Sequence, residues 1–110
     1  MITRLKISRS ATGLVYNRVK ELSLLYTPNI VLRNALMFSI ANCDKFENED
    51  IDTGGTEFQI ATLLGEYSAV YKLLIDQYYK KKVSDEDYKK ILVFHCEKGL
   101  NHKDFKSIFK

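Results

Sequence analysis

Residues 27–41, TPNIVLRNALMFSIA, form the stretch around which the rest of this chain is expected to pack. Thr27 can cap a helix with its hydroxyl, and Pro28 suits the first helical position because no N–H is needed there. Apolar residues follow on two sides, one with Ile30, Val31, Ala35, Phe38 and Ala41 and the other with Leu32, Leu36 and Ile40. A helix that is apolar nearly all round is buried on more than one side. We therefore expect a core helix that also supplies a subunit interface through Leu32, Leu36 and Ile40.

The length and composition predict one small domain without a membrane span. The chain has 110 residues, of which 45% are hydrophobic, so a monomer would have a thin margin of stability and oligomerisation would help. No run approaches the ~20 apolar residues that a membrane span needs, and the first residues lack an apolar signal core. We expect a cytoplasmic protein without membrane contact. Cys43 and Cys96 are too few for a disulfide framework and are expected to be free thiols.

Charge is segregated along the chain. Residues 1–43 carry six Lys or Arg against one acid, residues 44–66 carry seven acids against one Lys, and residues 67–110 carry ten Lys against six acids. Two basic segments therefore flank an acidic one. This distribution favours a protein that presents one basic face to a polyanion, although a charged face can also be merely solvated.

The first 41 residues predict a strand followed by two helices. Residues 5–8 alternate apolar and polar side chains, which is typical of a short strand. A helix starts at Ser8 or Ser10 and continues to about Leu25, with Leu14, Val15, Val19, Leu22 and Leu25 inward and Arg9, Arg18, Lys20 and Glu21 outward. The predicted architecture is mainly α: one domain over residues 1–110, with strand-helix-helix over 1–41, an acidic loop over 42–56 and a helical remainder over 57–110.

The second half predicts two further helices. Residues 58–64 fit a strand or a helix equally well. A third helix is expected from about Glu66, with Tyr67, Val70, Tyr71, Leu74 and Tyr78 on its inward face. A fourth begins at Ser84 with acids in its first turn, carries Tyr88, Ile91, Leu92 and either His95 or Cys96 inward, and stops at Gly99. Phe105, Ile108 and Phe109 anchor a last turn over residues 103–109.

Neither a metal site nor a catalytic centre is predicted. An EF-hand loop opening at Asp50 would place Ala61 where the bidentate Glu must stand. His95, Cys96 and His102, with Cys43, raise zinc or thiol chemistry, but adjacent residues of a helix point about 100° apart and no Cys-x-x-Cys pair is present. We therefore expect no cofactor.

Basic residues offer a stronger functional signal. Lys and Arg that converge can displace counterions from DNA phosphates, and the N–H groups at the start of the second helix, at Thr27 and Asn29, can bind phosphate. The candidate phosphate contacts are Arg4, Lys6, Arg9, Arg18 and Lys20, with Lys80, Lys81, Lys82 and Lys98 as a second group.

These residues lead to a family resemblance. The strand-helix-helix order resembles the ribbon-helix-helix, Met repressor-like plan of small dimeric DNA-binding proteins, in which the strand pairs with its copy in a second subunit. More specifically, the chain resembles the DndE family of DNA sulfur modification proteins in residues 4–8 (RLKIS), 27–36 (TPNIVLRNAL), 55–67 (GTEFQIATLLGEY) and 95–100 (HCEKGL). The segment 55–67 is the most specific of these.

The resemblance implies a component of the bacterial DNA phosphorothioation system, in which sulfur replaces a non-bridging oxygen of the DNA backbone. It implies a non-catalytic, tetrameric protein that binds double-stranded DNA, preferring nicked duplex, beside the other subunits of the modification machinery. Two alternatives remain open: a protein–protein adaptor of the same complex without DNA contact, and a thiol-based sulfur carrier that uses Cys96 or Cys43.

Overall fold

The computed structural model describes residues 4–21, 27–42, 45–46, 51–102 and 105, with only the backbone described at Tyr67. Five α-helices and two short strands make up this part of the chain. In chain order they are β1 (Arg4–Lys6), α1 (Arg9–Glu21), α2 (Pro28–Asn42), β2 (Glu57–Gln59), α3 (Ile60–Leu64), a 3-10 turn (Gly65–Tyr67), α4 (Ser68–Tyr79) and α5 (Asp85–Asn101). The fold is therefore mainly helical with a small antiparallel sheet.

The core is built on the packing of α2 against α5, the most extensive contact between any two elements. Along α2 the completely buried side chains are Val31, Leu32, Ala35, Leu36 and Ser39. The two backbones approach so closely that a Cβ added to Gly99 would lie 2.0 Å from the carbonyl oxygen of Ala35. Gly99 was predicted to stop the helix, but α5 continues to Asn101. The glycine is required for the close approach of two helices rather than for a turn.

The predicted subunit interface on α2 has to be corrected. Leu32 and Leu36 are completely buried within the single chain, because α5 covers the side of α2 that the sequence left without a partner. Ile40 is partly buried and packs against the same core. Leu32 and Leu36 therefore offer no apolar surface to a second copy, and Ile40 offers only part of its side chain.

The two strands pair within one chain. β1 runs antiparallel to β2, with Leu5 opposite Phe58 and Lys6 opposite Glu57. The ribbon-helix-helix plan, in which β1 would pair with a copy of itself, is not confirmed. Residues 58–64, which fitted a strand or a helix, contain the end of β2 and all of α3.

The start of α1 is fixed by hydrogen bonds from two directions. The Ser8 hydroxyl accepts the N–H of Ala11 at 3.0 Å and donates to Glu97 Oε1 on α5 at 2.6 Å. Asp52 of the loop before β2 accepts the backbone N–H of Arg9 at 2.9 Å. The predicted start at Ser8 is thus confirmed, whereas the predicted end near Leu25 and the inward positions Leu22 and Leu25 lie outside the described residues.

The face of α4 that packs inward differs from the predicted one. Val70 and Leu74, expected to face inward, are 49% and 40% exposed, and Ile75 is completely buried instead. One turn after Ile75, the hydroxyl of Tyr79 lies 2.8 Å from Nε2 of His95 on α5, so these two residues mark the face of α4 that packs inward. Leu73 is 64% exposed beside Val70 and Leu74. These three side chains form a solvent-facing apolar surface, called here the α4 ridge.

α5 begins as predicted and is buried over most of its length. Ser84 caps it, its hydroxyl accepting the N–H of Asp87 at 3.2 Å. Both His95 and Cys96 are completely buried, as is Phe105 beyond the helix. The other residues predicted to anchor the last turn, Ile108 and Phe109, lie outside the described residues.

His95 links three segments through one hydrogen-bonded chain. The Tyr79 hydroxyl accepts the N–H of Phe46 at 2.9 Å and lies 2.8 Å from Nε2 of His95. Nδ1 of the same ring lies 2.7 Å from the Ser39 hydroxyl. Burial lowers the pKa of His95 to about 4. The ring is therefore neutral in the folded protein at pH 7.

The substitution Gly99→Ala tests the close helix contact. We expect it to lower the free energy of unfolding by roughly 2 kcal/mol or more, because overpacking a tight core typically costs ~1–3 kcal/mol. Gly13→Ala is the matched control, since a Cβ at Gly13 meets nothing within 4 Å and alanine in mid-helix should raise stability by about 0.5–1 kcal/mol. Urea unfolding measures the change in the free energy of unfolding for both variants, and equal changes would contradict the close contact between α2 and α5.

Stability should also depend on pH through His95. Its pKa is about 4 in the folded chain and 6.5 ordinarily, so between these values the unfolded chain binds a proton that the folded chain does not. Lowering the pH from 6.5 to 4 should therefore reduce the free energy of unfolding, by up to roughly 3 kcal/mol. Denaturant titrations between pH 4 and 6.5 should show that the free energy of unfolding changes less with pH in His95→Gln than in the parent chain. An unchanged slope in His95→Gln would exclude His95 as the source.

Candidate nucleic-acid interface

Four basic side chains from two distant parts of the sequence line one surface groove. Because side chains alternate along a strand, β1 buries Leu5 in the core and turns Arg4 and Lys6 outward. β1 also contacts α5, which contributes Lys89 and Lys90 to the same groove of about 380 Å³. We call these four residues and the space between them the basic groove.

The charges of the basic groove are only partly compensated. Glu57 lies 3.7 Å from Arg4, and Glu86 lies 3.9 Å from Lys90. Both pairs are solvent-exposed, and such pairs contribute about 0–1 kcal/mol each, so a phosphate can replace either carboxylate. Within the described part of the chain, Lys6 and Lys89 form no ion pair. Four cations against two acids leave the groove with a net charge of +2.

The structure assigns Arg9 a role within the chain. Its Nε lies 3.1 Å from Asp52 Oδ2, and the same carboxylate accepts the backbone N–H of Arg9. These hydrogen bonds, led by the backbone one, lower the pKa of Asp52. Asp52 Oδ1 also accepts the N–H of Gly54 at 3.0 Å. Arg9 is exposed, but it holds the loop before β2 against the start of α1.

Arg18 does not project freely from α1, which corrects its prediction as an outward phosphate contact. Its side chain is only 16% exposed, and Nη1 lies 3.1 and 3.0 Å from the two carboxylate oxygens of Glu21. The reason is helical spacing: Val15 lies four residues after Ala11 and Arg18 three residues after Val15, which places Arg18 on the same side of α1 as these two buried residues. Lys20 remains exposed near the end of α1.

The start of α2 is occupied by contacts within the chain. The Thr27 hydroxyl donates to the side-chain carbonyl of Asn29, and the amide of Asn29 donates to the carbonyl of Thr62 at 3.1 Å. Arg33, which the sequence analysis did not single out, donates to the carbonyls of Leu63 and Thr62 at 2.8 and 3.2 Å. Asn29 and Arg33 thus hold α2 to α3 in this structure, and Thr27 bonds to Asn29.

The second predicted group of lysines lies outside the basic groove. Lys80 ends α4 in a left-handed conformation with φ 57°, and Lys81 and Lys82 follow as exposed residues. Lys98 is exposed on α5, with its Nζ 5.5 Å from the centre of the Phe94 ring. None of these four lines the groove.

Sequence reasoning missed Lys89 and Lys90. A usable signal was present, since both lie between the inward positions Tyr88 and Ile91 of the predicted helix and must therefore face outward. Their proximity to β1 could not be deduced, because it depends on how β1 and α5 pack in three dimensions.

The cysteine and metal chemistry considered from sequence finds little support. Cys96 is completely buried with Sγ 3.9 Å from the carbonyl oxygen of Leu32, and burial raises the pKa of its thiol to about 12. A buried, protonated thiol is a poor nucleophile. Cys43 lies outside the described residues. Among the residues that the structure describes, no three His, Cys, Asp or Glu side chains group as metal ligands, and no helix could cross a membrane.

Comparison with known proteins identifies close structural neighbours. The crystal structure of DndE from Escherichia coli B7A, involved in DNA phosphorothioation modification, superposes with a TM-score of 0.81 at 20% identity, covering 92% of this chain and 97% of that one. A DndE G21/24K mutant involved in DNA phosphorothioation superposes with a TM-score of 0.75 at 20% identity, covering 100% and 99%. At this identity the likeness establishes the fold. No curated protein matches the chain.

The family comparison extends over almost the whole sequence. The family model described as DNA sulphur modification protein DndE matches residues 4–107, a range that includes β1, β2 and all five helices. This chain therefore belongs to the DndE family of DNA sulphur modification proteins.

Proposed function

We propose that this chain is a non-catalytic DNA-binding component of the phosphorothioation machinery and that it binds the backbone of duplex DNA through the basic groove. Membership of the DndE family implies involvement in DNA phosphorothioation. The observation that carries the proposal is the convergence of Arg4 and Lys6 with Lys89 and Lys90 on one groove with a net positive charge. Lysine and arginine contacts to phosphates position a protein on DNA without reading its sequence.

The groove suits backbone binding with a preference for nicked duplex. It offers four cations, which suit phosphates rather than base edges, so base readout is minor in this proposal. A break in one strand makes the duplex easier to bend, which lowers the cost of bringing more phosphates to the protein. Binding should weaken steeply as salt concentration rises, because each neutralised phosphate releases counterions.

Assembly into a homo-oligomer would multiply these charges. The α4 ridge, at 49%, 64% and 40% exposure for Val70, Leu73 and Leu74, replaces α2 as the proposed subunit contact. Exposed apolar side chains that cluster on one face often mark protein interfaces. A tetramer in the cytoplasm, working with the other modification subunits, completes the proposal.

The second candidate function is a protein–protein adaptor, favoured by the same ridge. If the α4 ridge holds another subunit of the machinery rather than a second copy, the chain could act without DNA contact. The thiol carrier is less supported, since Cys96 is buried and protonated.

Charge reversal in the basic groove tests DNA binding. We expect Lys6→Glu together with Lys89→Glu to weaken binding to a nicked duplex by at least about tenfold, because two phosphate contacts become repulsive, and to flatten the dependence of affinity on salt. Fluorescence anisotropy over a salt series measures both effects. Lys45→Glu is the matched control, since Lys45 is exposed but does not line the groove. Unchanged affinity in the double variant would reject the basic groove as the DNA site.

Substitution on the α4 ridge tests assembly. Leu74→Lys should lower the molar mass in solution, measured by light scattering, while far-UV circular dichroism stays unchanged because Leu74 is exposed in the single chain. Met37→Lys is the control, since Met37 is 37% exposed on α2, away from the ridge. A parent chain that is monomeric at every concentration, or a Leu74→Lys variant with the parent's mass, would contradict this interface.

A further inference from the structure

A second and larger cavity lies next to the basic groove. It has a volume of about 760 Å³ and lies between the β2–α3 segment, the start of α4 and the start of α5. Its walls are mostly apolar, with Ile60, Ala61 and Ala69 among them, and polar or charged groups interrupt them, among which are Gln59, Ser68, Lys72 and Asp85. This size and this mixture are typical of sites that hold a small organic group.

Arg4 connects the cavity to the basic groove, because it lines both. Among the residues that the structure describes, its one ion pair is the exposed pair with Glu57 at 3.7 Å, which an incoming anion can replace. A nucleotide carries an anionic phosphate beside a flat base with apolar faces and a polar edge. The two adjoining spaces match these two parts, with phosphate at the Arg4 side of the groove and the base in the cavity.

Tyr88 lines the cavity with its side chain. It is only 4% exposed, and its hydroxyl oxygen is buried without a hydrogen-bond partner within the described part of the chain. Because this oxygen is closed to solvent, the hydrogen bonds to a bound base come from the other polar groups that line the cavity.

We propose that this cavity takes an unpaired nucleobase of the DNA whose phosphates bind the basic groove. The inference rests on the proposed DNA-binding function and adds a second contact to it. An unpaired base is favoured over a paired one because it costs least to bring out of the helical stack, and its faces would be buried against apolar walls. The Gln59 amide, Ser68 hydroxyl and Asp85 carboxylate supply donors and acceptors for its edge.

The test compares two duplexes of equal length, one fully paired and one carrying a single unpaired 2-aminopurine. The parent chain should bind the second about tenfold more tightly, as expected for one buried base, and the 2-aminopurine emission should change on binding. Ala61→Trp, which fills the cavity, should abolish the difference and keep the affinity for the paired duplex. Ala41→Trp is the matched control, on an exposed alanine that does not line the cavity.

The outcomes separate this inference from the function on which it rests. Equal affinity of the parent chain for the two duplexes, or an intact preference in Ala61→Trp, overturns the base site but leaves groove binding standing. Failure of the parent chain to bind either duplex overturns both. If Ala61→Trp binds both DNAs as the parent does but no longer co-purifies with other modification subunits, the cavity holds a protein side chain and the inference is wrong. Should Ala61→Trp not fold, Ala69→Phe narrows the cavity from α4 and is judged by the same criteria.

Discussion

The close approach of α2 and α5 is the constraint on which the rest of the structure depends. With a Cβ at Gly99 only 2.0 Å from the Ala35 carbonyl oxygen, the two backbones could not adopt this spacing if position 99 carried any other side chain. Leu32, Leu36 and Cys96 are completely buried at this contact, and His95 lies beside Ser39. Close packing of this kind stabilises the fold and limits how the remaining elements can be arranged.

The functional surface follows from that arrangement. Once α5 is fixed on α2, the Ser8 hydroxyl can reach Glu97, and β1 lies beside the first half of α5. Arg4 and Lys6 are then brought to Lys89 and Lys90, although more than 80 residues of sequence separate the two pairs. With Ile75 buried and Tyr79 bonded to His95, α4 turns the α4 ridge to solvent. The core thus determines both surfaces for which we propose functions.

Local signals predicted the elements well. Pro28 and Ser84 each mark a helix start that the structure confirms, because capping chemistry depends only on neighbouring residues. Burial on α2 was also recognised, but its partner was not: periodicity shows that a face is apolar without showing what covers it. The same limit explains why the role of Gly99 was not predicted, because it depends on a helix 64 residues away. It also explains why the exposure of Val70 and Leu74 was not predicted, because it depends on how α4 packs against α5 through Tyr79 and His95. In the candidate site, the alternation of side chains along a strand made the outward position of Arg4 and Lys6 predictable. Arg18 was predicted to face outward but lies on the buried side of α1. The contribution of Lys89 and Lys90 could be recognised only from the three-dimensional fold.

The central claim is that DNA meets this protein along β1 and the first half of α5. The most direct measurement is a backbone NMR titration of the isotope-labelled chain with a short nicked duplex. The account predicts that the largest amide shifts fall on residues 4–7 and 86–93, and that they diminish as salt is raised. Shifts confined to residues 80–82 or to the α4 ridge, with β1 unaffected, would contradict it.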